Sequence, residues 1–364
     1  MASECARRRI GRRGSGPRPA SGFVLAVTLW ILAGIAIAVG LMTLWSLQQL
    51  EQARLGHERL DDELAANGTR DTLLYFASTR ELTVAGLPVE VMSDELRAVR
   101  RLDEMGSLVR DPIGGELALD GTVYEGMGGT RFAIQDESGL YGIVMPRDLD
   151  LDGFLIFQGV DPEQVPRLRD ALQDYIDSDE LTRLNGAERR EYEREHRPPP
   201  PNRRLLTPGE IGRVLGWDAL EPALLAELPE RITPYYSGAV NLNTAPAVLL
   251  PHWVPGCPET CDRLVAMRRE QPFRSGYDLQ ARLGIALPGD ASIDYRFLAD
   301  ESLRITWWGR AGAAWRMHVR LTPLADKRGP WSILAAYPVL RPALDESAYE
   351  TGSALLADPT PGRG

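Results

Sequence analysis

The chain has 364 residues, 44% hydrophobic and 25% charged, with a formal net charge of −10, a globular balance that leaves room for about two domains and excludes a wholly disordered chain. The charge is lopsided: residues 1–22 carry Arg7, Arg8, Arg9, Arg12, Arg13 and Arg18 against Glu4, a local +5, so the remainder carries −15. An acidic body repels phosphate backbones, so no nucleic-acid partner is expected, and it suits divalent cations.

Residues 19–50 contain no charged side chain, and Phe23 to Leu47 is almost wholly apolar. Twenty-five helical residues rise about 37 Å, enough to cross a ~30 Å hydrocarbon core with some tilt. The arginines ahead of this span predict a cytoplasmic N-terminus, with the body on the other side of the membrane. Three fates of the N-terminus fit. It is a plain single-pass anchor. Or it is a secretory signal cut after Ala36-Ile37-Ala38, although the apolar stretch runs on past that point. Or it is a short basic leader ending at Gly22, directly before Phe23, whose removal leaves the whole helix on the mature chain. Beyond the span, Leu47, Leu50, Ala53, Leu60, Leu64, Leu73 and Ala77 recur at roughly helical steps. They predict an amphipathic continuation to about residue 80, with Asn67-Gly68 as a candidate break.

Residues 81–157 read as mixed structure with strands, including Thr130 to Gln135, and Gly126-Met127-Gly128-Gly129 reads as a turn. Residues 158–292 are dominated by helical patterns such as Val165 to Ile176 and Pro208 to Leu215. Pro198 to Pro201 is a stiff loop strut within them. Residues 293–341 return to strand patterns at Leu303–Trp308, Trp315–Leu321 and Trp331–Val339. A β-rich region interrupted by a helical one and then resumed implies a helical domain inserted into a sheet domain. Residues 342–364 are polar and rich in Pro and Gly, and are expected to be disordered.

Asp174 and Asp177 lie three apart on one face of a predicted helix, Asp179 follows, and Glu188 stands eleven residues past Asp177. Clustered carboxylates suit a hard cation such as Ca²⁺, which takes 6–8 oxygen ligands. Leu181 and Thr182 occupy the places where an EF-hand needs an oxygen ligand and a glycine, so this is not an EF-hand. The alternative is a solvated acidic face. Asp148-Leu149-Asp150-Leu151-Asp152-Gly153 opens like a second such loop but reaches Gly159 where glutamate is required; a strand edge or turn is the better reading. Cys257 and Cys261 lack the further ligands of a zinc site and form a candidate disulfide in an exported body, or else two free thiols. Asn241 to Arg269 has the outline of a helix-hairpin-helix unit with Arg263, Arg268 and Arg269, so a membrane-anchored DNA-binding protein is the competing reading. The four histidines lie beside no nucleophile, and neither a nucleophile elbow nor a phosphate-binding loop is present, so the chain is not expected to be an enzyme.

Five segments occur in one order: Asp174-Tyr175-Ile176-Asp177-Ser178-Asp179, Asn185-Gly186-Ala187-Glu188, Pro201-Asn202, Glu210-Ile211-Gly212-Arg213-Val214-Leu215-Gly216 and Asn241-Leu242-Asn243-Thr244-Ala245. With the basic leader and apolar helix, they resemble the K-type minor pseudopilin of type II secretion systems over about residues 12–340. The resemblance implies an α+β fold. A transmembrane and amphipathic pilin-like helix (23–80) follows the leader (1–22), and a β-sheet pseudopilin domain (81–157 and 293–341) carries a large inserted all-α domain (158–292). It implies cleavage between Gly22 and Phe23 by a prepilin peptidase, with methylation, and calcium in the helical domain. The implied partners are the I- and J-type minor pseudopilins, the major pseudopilin and the inner-membrane secretion platform. Most pseudopilins carry glutamate as the fifth mature residue, where it is thought to neutralise the N-terminal ammonium of the neighbouring subunit. Here that position is Val27, which fits a first, outermost subunit. Tyr141-Gly142-Ile143-Val144 departs from the family's usual continuation after Asp136.

Overall fold

The computed structural model describes residues 21–90, 93–95, 98–99, 110–143, 148–310, 313–326, 329–341, 349, 351 and 353–357. Residues 1–20 of the leader, Lys327 and most of the tail lie outside them. The chain forms two units, divided between Leu60 and Asp61.

A single helix, α1 (Ser21–Thr79), contains the first unit's described residues. From Phe23 to Leu60 its apolar side chains, Trp30, Met42 and Trp45 among them, have no protein partner and are exposed. The helix is long and apolar enough to cross a membrane. In hydrocarbon such a surface needs no core, because lipid tails replace it and every backbone group is satisfied within the helix.

In the second unit α1 continues unbroken through Asn67-Gly68. Small residues there serve close packing: a Cβ on Gly126 would lie 2.6 Å from the Thr69 side chain, and one on Gly128 2.6 Å from the Ala65 Cβ. The Met127 amide donates to Thr69 Oγ1 at 3.0 Å. The glycine-rich turn at 126–129 therefore docks on the helix where the sequence suggests a break.

Strands β1 (Leu87–Pro88) and β2 (Glu116–Leu117) form a short ladder, and the chain then enters the main sheet through β3 (Asp120–Glu125) and β4 (Arg131–Asp136). It leaves for a helical insert that holds β5 (Tyr141–Gly142), α2 (Asp148–Phe157), α3 (Val165–Ile176), α4 (Arg189–Arg194), α5 (Pro222–Arg231), β6 (Ile232–Thr233), β7 (Val240–Asn241), α6 (Leu250–Trp253), α7 (Glu259–Glu270), α8 (Gly276–Leu283) and β8 (Tyr295–Arg296). It returns through β9 (Ser302–Trp308), β10 (Ala314–Asp326) and β11 (Gly329–Val339). The sheet order is β11-β10-β9-β4-β3, antiparallel throughout. The architecture is the α+β one expected from the sequence: an N-terminal apolar helix and an antiparallel sheet with an inserted helical region.

Period-two alternation divides the sheet into two faces. Phe132, Ile134, Leu303, Ile305, Trp307, Met317 and Val319 pack with Leu73 and Phe76 of α1 in one core. The alternating partners Gln135, Arg304, Thr306, Arg316 and His318 are buried as well, so both faces of the central strands are covered. The insert has two cores of its own, one around Trp217, Tyr192, Phe154 and Leu172, the other around Phe273, Leu264 and Leu242.

Two local expectations are corrected and one is refined. Residues 148–157 form a helix rather than a strand edge or turn, because Leu151, Phe154 and Leu155 make a buried helical stripe. Pro208–Arg213, read as helical, takes the tighter 3₁₀ form. The tail is held at its described residues. Tyr349 bridges to Tyr124 beside β3, its amide donating to the Val123 carbonyl and its own carbonyl accepting from Glu125, and Leu356 is buried in the sheet core. A polar composition conceals this one apolar anchor.

Candidate cation site in the helical insert

Helix α3 starts with Pro166 in its first turn and ends at Asp177. Its buried face carries two aspartates, Asp170 and Asp174, among Leu168, Ala171, Leu172 and Tyr175. These carboxylates pull the following loop back onto the helix. Asp170 Oδ2 accepts from the Asn185 backbone amide at 3.1 Å and its side-chain amide at 3.0 Å. Asp174 accepts from the Arg183 backbone amide at 3.1 Å and from Arg183 Nη1 at 2.8 Å, and the same Nη1 donates to Asp177 Oδ2 at 2.5 Å. Gly186 is required by this fold-back: a Cβ there would lie 1.9 Å from Asp174 Oδ2.

The loop brings Asp177, Asp179 and Glu188 together, with one carboxylate oxygen of each within 4.8 Å of the others. Glu188, just before α4, is only 3% exposed; it forms a reciprocal capping box with Glu191 at the start of that helix, and among the described residues its carboxylate makes no hydrogen bond to another side chain. Asp177 Oδ1 and Asn202 Oδ1 are buried without partners. The Asn202 amide nitrogen donates to the Asp179 carbonyl at 2.5 Å, which ties the Pro201-Asn202 segment to the cluster. Burial, followed by the charges of Asp174, Asp177, Glu180 and Asp179, pushes the Glu188 carboxyl up to about 7. Burial also pushes Asp174 up, against the pull of Arg183.

A buried carboxylate facing other carboxylates is unfavourable in an empty pocket and favourable around a hard cation. Asp177, Asp179 and Glu188, all oxygen donors, could therefore hold a metal ion. Of the four acidic residues singled out from sequence, three converge. The fourth, Asp174, is neutralised by Arg183. Arg183 and Asn202 escape a reading by spacing, because their roles are set through space.

The other sequence candidates fall differently. Asp150 accepts from the Tyr141 hydroxyl at 3.1 Å, and Asp152 pairs with Arg169 at 2.6 Å, so these carboxylates serve packing. Cys257 and Cys261 are joined by a disulfide, with Cα atoms 5.1 Å apart. In the hairpin region Arg268 is buried and donates to the Leu242 and Ala245 carbonyls at 3.0 and 2.7 Å, and Arg263 donates to the Leu283 carbonyl. Two of the three arginines that suggested DNA contact are thus engaged in holding the hairpin itself.

Residues 150–232 match the family model described as "Type II secretion system (T2SS), protein K". The type II secretion system protein K of Dickeya chrysanthemi is 35% identical over 96 residues. This stretch is similar to protein K of type II secretion systems. The identity covers 25% of this chain and 24% of the Dickeya protein, so the chain spans about a quarter of the length of the curated relative it matches. A chain in the crystal structure of the GspK-GspI-GspJ complex from the enterotoxigenic Escherichia coli type 2 secretion system is also similar. It gives a TM-score of 0.46 at 14% identity, covering 81% of this chain and 98% of that one. Asp177, Asp179 and Glu188 all lie inside the protein K segment. Gly22, Phe23 and Val27 lie outside it.

Proposed function

We propose that this protein is a minor pseudopilin of a type II secretion system, anchored in the inner membrane by α1 and placed at the tip of the periplasmic pseudopilus. The observation that carries the proposal is the protein K segment at 150–232 in a chain that also has a membrane-length apolar N-terminal helix. In this reading a prepilin peptidase cuts between Gly22 and Phe23. The new helix packs beside those of I- and J-type minor pseudopilins, the partners named for the Escherichia coli complex, and the major pseudopilin follows. The mature fifth residue is then Val27. A subunit with none above it has no ammonium for a glutamate to neutralise, so valine costs nothing there. The protein acts by assembly rather than catalysis: the tip primes a fibre that pushes folded proteins outward from the inner-membrane platform.

Asp177, Asp179 and Glu188 hold calcium in this reading. The ion takes the place of the missing donors and fixes the loop between α3 and α4. The test is a clean deletion, complemented with the wild-type gene, with secretion of an exported protein measured in the medium. Secretion should fall on deletion and return on complementation. Mass spectrometry of the native N-terminus should begin at Phe23; a start near Val39 would replace the pilin reading with a secreted protein.

A further inference from the structure

A cleft of about 890 Å³ opens between the insert and the end of β11. The insert contributes the segment from Arg203 to Arg213 and part of α5, and the sheet contributes Arg316 and the stretch from Tyr337 to Arg341. Four arginines line it (Arg203, Arg213, Arg316 and Arg341) against Glu210 and Glu230, in a chain whose net charge is −10. The local charge is thus opposite to that of the whole protein.

Both glutamates are already committed. Glu210 accepts from Arg203 Nη2 at 2.9 Å and from the Tyr175 hydroxyl at 3.1 Å. Glu230 takes both Arg316 nitrogens, at 2.6 and 2.8 Å. Burial pushes these two carboxyls up, but the arginine contacts outweigh it and hold them below the usual range. The other two cations have no counter-charge among the described residues. Arg213 is exposed and makes no ion pair among the described residues. Arg341 is half-buried. Its Nη2 donates to the Gly309 carbonyl, its Nε is buried without an acceptor, and it makes no ion pair among the described residues. A guanidinium withdrawn from water without a counter-charge gains when a carboxylate arrives in fork geometry. The cleft also presents apolar side chains: Leu340 is 94% exposed and Leu206 57%. Its volume suits a segment of a few residues.

We propose that this cleft binds an extended acidic peptide segment of a partner protein. Its carboxylates would reach Arg213 and Arg341, and its apolar side chains would cover Leu206 and Leu340. Inorganic phosphate or a lipid headgroup could use the same guanidiniums but would leave the leucines bare. The site does not depend on the tip assignment.

The test uses the full chain in detergent and fluorescence anisotropy with a short labelled peptide of alternating leucine and glutamate, beside a leucine–lysine counterpart. The acidic peptide should bind saturably below about 100 µM at low salt, more weakly at ~0.3 M salt, and the basic peptide should not bind. Arg213→Glu, at an exposed position with no fold to disturb, should weaken binding several-fold. Adding Arg341→Glu should bring the loss to at least about tenfold. Arg190→Glu, on the exposed face of α4, should change nothing. Equal binding of the basic peptide, or undiminished binding by the double variant, overturns the proposal. So does acidic-peptide binding that appears only after residues 342–364 are removed, since the chain's own Asp345-Glu346 would then be the occupant.

Discussion

Within the sheet's polar face, His318 sits where a buried charge network allows only one arrangement of protons. It is fully buried, with Nδ1 2.5 Å from Glu137 Oε1 and Nε2 2.8 Å from the Tyr337 hydroxyl. Burial pushes the imidazole down, beyond the opposing pull of Glu137. Burial pushes Glu137 up, but Arg304, 3.7 Å away, and His318 outweigh it and hold it down. The neutral ring therefore donates from Nδ1 to the carboxylate and accepts at Nε2 from the tyrosine. Both groups titrate lower in the folded chain than in the unfolded one, so the folded chain binds fewer protons. The stability this pair contributes is then full at neutral pH and falls as the pH drops below about 6.5, where unfolded histidine charges, and further below about 4.5. The raised Glu188 carboxyl acts in the opposite sense in the same window, so the readout is the difference between wild type and His318→Gln: the wild-type advantage in melting temperature should shrink from pH 7 to 5. A difference that stays constant between pH 7 and 5 would contradict the arrangement. At the acidic cluster the expected effect is on ligand response. Millimolar calcium should raise the melting temperature by several degrees through preferential binding to the folded chain. Glu188→Gln should remove most of that rise. Asp174→Asn should instead lower the melting temperature with or without calcium, because it breaks the Arg183 clasp. Equal calcium shifts in wild type and Glu188→Gln would discard the assigned ligand.

Between elements, one aspartate pins the insert to the sheet. Asp136, at the end of β4, accepts from the Ser138 amide and hydroxyl at 3.0 and 2.6 Å, Asn241 Nδ2 at 2.9 Å, Thr244 Oγ1 at 2.8 Å and the Asp300 amide at 3.1 Å. Asn243 completes the joint by donating to the Phe273 and Phe297 carbonyls at 2.8 and 3.0 Å. A Cβ on Gly139 would come 2.7 Å from the Thr244 backbone, so the strand exit and the 241–245 segment can touch only with glycine there. Asp136→Ala leaves several buried donors unpaired and should cost about 3–5 kcal/mol, readable in a denaturant titration. A loss under about 1 kcal/mol would show the joint to be held by apolar contact alone. This pin is what sequence could not reveal: Asp136 and Asn241 are 105 positions apart, and no local pattern couples them. Local pattern did suffice elsewhere. Val165–Ile176 has a helical stripe, and Leu303–Trp308 alternates with aromatic and β-branched residues, so both are legible. Helix α2 is not, because Asp148 to Asp152 alternates with period two until Phe154 and Leu155 complete the stripe. In the candidate site the acidic cluster is legible, whereas the claim of Arg183 on Asp174 and the approach of Asn202 depend on how the loop folds back.

For the molecule as a whole, the deciding question is what the apolar helix does at its start. If Phe23 is the first mature residue, Val27 is the fifth, one helical turn from the chain's own terminal ammonium, and the next charge it could meet belongs to a neighbouring subunit. A carboxylate placed within the apolar span is unfavourable unless an ammonium neutralises it. An interior subunit of a pilin-like fibre meets such an ammonium on the neighbour above; an outermost subunit does not. Val27→Glu should therefore damage an outermost subunit and leave an interior one unharmed or better paired. In a deletion strain complemented with this variant, secretion of an exported reporter should drop well below the wild-type level, while Val27→Leu restores it fully. Immunoblotting of membrane fractions must show equal amounts of each variant, so that a failure of insertion is not read as a failure of assembly. Undiminished secretion with Val27→Glu at normal abundance would place the subunit within the fibre rather than at its end. The similarity of residues 150–232 to protein K would stand unaffected, because it rests on a separate part of the chain.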